Sequence, residues 1–163
     1  MAYAETTTVP VEKTRAEIER LLTKFKCTQF VVGSDNEKHS AMVQFKAQNR
    51  IIRFLVQLPD PEDKKYTHVS AYRRRGAQAA FQAFAQGERQ RWRALYLVIK
   101  AKLEAVESKI ATFEEEFLSH TVLPNDQTVG EVVLPMVEQA YGTGKMPKML
   151  TTTAGPDGAG DPS

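Results

Sequence analysis

The chain predicts an α+β fold: an N-terminal helix, a three-stranded antiparallel meander, a long helix packed on the sheet, and a short C-terminal helix. Two patterns carry that expectation. Apolar residues recur at three- and four-residue steps in Ile18, Leu21, Leu22, Phe25 and again in Trp92, Leu95, Tyr96, Ile99, Leu103, the period of a helix with one buried stripe. Between them, Ala41, Val43, Phe45 and then Ile52, Phe54, Val56, Leu58 alternate with other residues, the period of a strand with one covered face.

Taken in order, Thr14-x-x-Glu17 reads as a capping box opening a first helix from Val11 or Thr14 to about Lys26. The β-branched and aromatic run from Thr28 to Gly33 reads as the first strand. A two-residue turn at Gln48-Asn49 sets Phe45 opposite Ile52 and Val43 opposite Phe54, so both apolar sets share one face. A loop over Asp35 to Lys38 sets Val32 opposite Ala41 and Phe30 opposite Val43, on the same face. The other face mixes Gln44, Lys46, Arg53 and Gln57 with Val31, Met42, Ile51 and Leu55.

"LPDPEDKKYTHVSAYRRRG" reads as a long exposed connection. Helical composition then runs from about Ala77 to Leu118, bending at Gly87 or extending past the sheet. Leu97 and Val98 lie away from Trp92, so "LYLVIK" is apolar nearly all round and calls for a further layer. Thr128-x-x-Glu131 opens a last helix, with Pro135 inside it and Gly142 and Gly144 at its end. Residues 1–10 are expected to form a flexible arm, 11–150 a single domain and 151–163 a disordered tail.

Composition narrows the chemistry. No apolar run approaches the length of a membrane span. The lone Cys27 rules out an internal disulfide and suits a reducing cytoplasm. His39, His68, His120 and Cys27 lack metal-ligand spacing. Glu114, Glu115 and Glu116 are consecutive and cannot converge as a catalytic pair. Phosphate-loop, dinucleotide and nucleophile-elbow patterns are absent. The expectation is therefore a protein that is not an enzyme and needs no cofactor and no metal.

Charge is the informative feature. The net charge is only +2, but Tyr72 to Lys102 holds eight bases against the single acid Glu88, leaving −5 for the remaining residues. Such a concentrated basic segment is a footprint for polyanions. On a helical projection Arg89 and Arg93 flank the buried stripe on one side and Arg91 on the other. Arg73, Arg74 and Arg75 form a second cluster just upstream, near Tyr66, His68 and Tyr72. Interleaved aromatics and cations are what an unpaired strand needs for stacking and phosphate contacts. Trp92 itself belongs to the core stripe and is not a stacking candidate.

The order helix, meander, long helix over Val11 to Ser119 resembles the core of Rad-fifty-two-type single-strand annealing proteins. The stretches "RQRWRALYLVIKAKLEAVESKIATFEEEFL" and "VLPNDQTVGEVVLP" are similar to a family of small phage and prophage proteins. The first resemblance implies a homo-oligomer, as ring or filament, built through the long helix and sheet. It implies single-stranded DNA, with RNA as the alternative strand, held in a basic groove between sheet and helix. Lys46 and Arg53, with Arg73, Arg74, Arg75, Arg89, Arg91 and Arg93, would contact phosphates, and Tyr66 and Tyr72 would stack on bases. The rival expectation is a phage-encoded interaction module, an inhibitor of a host or defence protein that uses Tyr, Trp and Arg as interface anchors.

Overall fold

The computed structural model describes residues 4–147; the tail expected over 151–163 lies outside them. The first helix, α1 (Val11–Lys24), takes the earlier of the two expected starts, with Pro10 as its N-cap. The Thr14 amide already donates to the Pro10 carbonyl at 3.1 Å. Thr14 therefore sits inside the first turn, fully buried, with a hydroxyl that has no partner. The expected Thr14–Glu17 box does not form, and Glu17 is used elsewhere. At the far end Lys26 takes a left-handed conformation (φ 57°). The amides of Lys26 and Cys27 return to the carbonyls of Thr23 and Leu22, the crossed pair that closes a helix C-terminus.

Strands β1 (Thr28–Asp35), β2 (Ser40–Ala47) and β3 (Arg50–Gln57) pair antiparallel in that order. Phe45 faces Ile52 and Val43 faces Phe54, as the alternation predicts. Gln48 and Asn49 both have positive φ, 47° and 60°, the geometry whose twist suits a two-residue hairpin. In the first hairpin the register is displaced by two residues, with Val32 opposite Val43 and Ser34 opposite Ala41. The cause is Asp35, whose carboxylate accepts from the Glu37 and Lys38 amides at 3.0 Å and moves the loop one residue on. A two-residue slip keeps every side chain on its face, so the covered side is unchanged.

After β3 the chain is not a plain loop. It forms a single-turn helix α2 (Lys64–Thr67) and a hairpin of β4 (His68–Ser70) and β5 (Arg73–Arg74). Helix α3 (Ala77–Glu107) follows without a break at Gly87, a length of about 46 Å. It stops well before Leu118. Lys109 turns left-handed (φ 59°), and the Lys109 and Ile110 amides return to Val106 and Ala105. Thr112 and Glu115 then exchange the two bonds of a capping box that opens α4 (Phe113–Phe117). A 3-10 turn (Leu118–His120) leads to α5 (Val129–Thr143), capped by the expected Thr128–Glu131 box and ended by left-handed Gly144.

Helices α1 and α3 cover one sheet face. Ile18 and Leu22 meet Val43, Phe45, Ile52 and Phe54 beneath Trp92, Ile99 and Leu103, all buried. Phe117 closes this core edge-on to Phe45 and Phe54, at 5.9 and 6.3 Å between ring centres. The outer edge of β3 is taken by Val122, whose amide donates to the Ile51 carbonyl at 2.8 Å. No helix among the described residues is long and apolar enough to cross a membrane. The described part of the N-terminal arm is tied down. Ala4 is buried, and the Gln86 amide donates to the Glu5 and Thr7 carbonyls.

Candidate nucleic-acid interface

The short helix α2 forms because Asp63 caps it, its carboxylate accepting from the Lys65 amide at 3.0 Å. The chain then turns into the β4–β5 hairpin, which is fixed at its base. There the Arg75 amide donates to Thr67 and the Arg75 guanidinium to the His68 carbonyl. At the tip Tyr72 is 100% exposed. Arg73 and Arg74 beside it are exposed, and among the described residues no carboxylate lies within 4 Å of either. A bare aromatic ring next to two unpaired guanidinium groups is a poor way to stabilise a fold. It is a good way to meet a base and its phosphates.

The hairpin rises from one wall of a cleft of about 630 Å³. Lys65 and Tyr66 of α2 form that wall; Gly87, Gln90, Arg91 and Ala94 of α3 form the other, and Ala4 and Glu5 close an end. Tyr66 packs edge-on to Phe84 at 6.0 Å, with the Lys65 ammonium 4.7 Å over its ring. Gly87 is required here, because a Cβ at that position would lie 2.5 Å from the Tyr66 hydroxyl. Lys65 and Arg91 thus face the same cleft, with Glu5 the one acid among the described residues that line it.

The other nominated residues divide. Arg53 projects from the far face of the sheet, where it bonds Gln44 and forms an ion pair with Asp126. Lys46 shares that far face, since it alternates with buried Phe45. Arg93 is paired with Glu17 of α1 and lies 4.5 Å over the Tyr96 ring. Arg89 bonds the Gln86 side-chain oxygen at 2.6 Å, helping to hold the N-terminal segment. Tyr66 is buried and offers no open face to a base. Three expectations are corrected by this geometry. Arg53 and Arg93 are ion-pair partners within the fold, Tyr66 is a packing residue, and no single groove joins Lys46 and Arg53 to the α3 arginines. The sheet lies between them.

Two cleft residues were missed in the sequence. Lys65 is signalled only by the pair Lys64-Lys65 preceding Tyr66, within a segment whose composition suggests solvent. Gln90 becomes visible only when its amide is seen donating to the Glu5 carbonyl. Elsewhere, burial pushes the Cys27 thiol up to about 11, which makes it an inert apolar group at neutral pH. Among the described residues no three His, Cys, Asp or Glu side chains cluster as metal ligands.

No protein-family model, curated protein or solved structure matches the chain.

Proposed function

We propose that the chain binds single-stranded nucleic acid and, acting in more than one copy, anneals complementary strands without a cofactor. The observation that carries this is the β4–β5 hairpin, with Tyr72 fully exposed beside Arg73 and Arg74, following in the chain from α2, a wall of the Lys65–Arg91 cleft. Phosphates would follow Arg73, Arg74, Lys65 and Arg91, and a base would stack on Tyr72. Annealing itself asks only that strands be held extended.

The test is fluorescence anisotropy of a labelled single-stranded oligonucleotide across a salt series. Tyr72→Ala is expected to weaken binding about five- to hundredfold, the range for one lost stacked base. Replacing Arg73 and Arg74 together by Ala is expected to flatten the slope of log K against log salt by about 1.4, two single-strand phosphates. No binding at low salt would overturn the proposal. It would favour a protein-interaction module instead, a reading supported by the exposed Tyr141 and Leu134 on α5.

A further inference from the structure

The exposed apolar surface of the protein is not spread evenly. Thirteen large apolar side chains are exposed among the described residues. Three of them, Val31, Ile51 and Leu55, lie on the far face of the sheet, and four lie on α5 or just beyond it. Leaving over half of such side chains on two neighbouring surfaces is costly for a monomer and normal for an interface.

Both surfaces follow from the sequence period. On the sheet, Met42 pairs with Leu55 and Lys46 with Ile51, on either side of the Gln44–Arg53 pair, so apolar side chains flank a polar centre in which Arg53 is already paired with Asp126 and Lys46 is not. On α5, taking Leu134 as zero and about 100° per residue, Tyr141 and Val137 fall within about 60° on one side. Glu138 and Glu131 fall within about 60° on the other. The partly covered residues Val129, Val133, Met136 and Ala140 occupy the opposite face, toward the body of the protein. The exposed stripe therefore uses positions i, i+3 and i+7, the anchor spacing of a helix that lies in a groove.

The groove is present. Met42 and Leu55 of the sheet face Leu134 of α5 across a cleft of about 640 Å³ whose floor also carries the paired Arg53 and Asp126. Charge complementarity favours one occupant, a second copy. Lys46 on the sheet face and Glu138 on α5 are both without an ion-pair partner among the described residues. A helix bearing apolar anchors and an acid fits a sheet face bearing apolar residues and a base. This chain supplies both halves. We propose that two copies associate reciprocally, α5 of each lying on the outer sheet face of the other, with Glu138 of the second copy reaching Lys46. This contact uses the sheet and α5, not α3. It leaves the cationic hairpins free, so a dimer would offer two strand-binding sites at high effective concentration.

The experiment is light scattering of the purified full chain, without nucleic acid, over a concentration series. Wild type is expected at twice the chain mass. Leu55→Glu and Val137→Glu are both expected to give monomers with unchanged far-ultraviolet circular dichroism, since both positions are exposed. Mixing these two variants is expected to recover a dimer, because one supplies an intact helix and the other an intact sheet face. Lys46→Glu is expected to raise the dissociation constant about tenfold, and adding Glu138→Lys to restore it. A monomeric wild type overturns the proposal. So does a dimer that survives Leu55→Glu but not Val137→Glu, which would place α5 against α5. With no oligonucleotide present, neither result depends on the nucleic-acid reading.

Discussion

Gly87 shows how one residue can mean opposite things in the sequence and in the fold. In a helix interior glycine costs about 1 kcal/mol relative to alanine, so Gly87 reads as a weak point. The helix nevertheless runs straight through it, and its missing side chain is the seat of the Tyr66 ring. Gly87→Ala is therefore expected to lower the melting temperature despite its better propensity. Paired with Tyr66→Ala, which empties the seat, the same substitution is expected to become stabilising. A four-variant thermal denaturation cycle checks the reversal of sign. Thr14 teaches the complementary lesson. A capping signature is only a local pattern, and Pro10, one turn earlier, started the helix first.

At the scale of elements, the meander was legible because strand alternation is imposed by burial, and burial leaves its period in the sequence. Parity alone fixes its second hairpin, Phe45 against Ile52. The first slipped by two residues because an Asp35 side-chain turn fixes the loop, and that choice leaves no trace in hydrophobic pattern. The end of α3 was missed, although Thr112-x-x-Glu115 was available as a signal. An unbroken helical composition outweighed it, and Lys109 gave no warning, since lysine is not a residue expected at positive φ. The same point yields a prediction. Holding a non-glycine residue left-handed costs about 1–2 kcal/mol, so Lys109→Gly is expected to stabilise the protein by about 1 kcal/mol in chemical denaturation. An unchanged or lowered midpoint would show that the Lys109 side chain contributes what glycine lacks. Charge clustering at the site was equally legible, but charge pairing was not. Glu17 with Arg93 and Asp126 with Arg53 are each far apart in sequence.

The whole molecule is a sheet clasped on one face by α1 and α3, with the segment from α4 to α5 folded around the β3 edge. His120 stands at that junction, its ring stacked on Phe54 at 4.0 Å between ring centres. Burial lowers its pKa below the ordinary 6.5, the nearby Lys102 ammonium lowers it further, and a bond to the Arg53 main chain offsets part of this. Lys102 is held in place by the Glu116 carboxylate at 3.2 Å and the Glu116 carbonyl at 2.8 Å. The unfolded chain thus takes up a proton on His120 more readily than the folded one. Its contribution to stability is complete above pH 6.5 and is lost as pH falls through the folded value. Other groups act differently. Glu115 and Glu131 are held below their ordinary 4.5 by their capping threonines, so their contributions are lost only at more acid pH. Glu88 is raised above 4.5 by burial and by Glu12, so its effect has the opposite sign, favouring the fold as pH falls. Comparing His120→Asn with wild type removes these shared contributions. The wild-type melting temperature is expected to fall more than that of the variant between pH 7.5 and pH 5.5. Equal losses in the two proteins would mean that the imidazole is as free to protonate against Phe54 as in water.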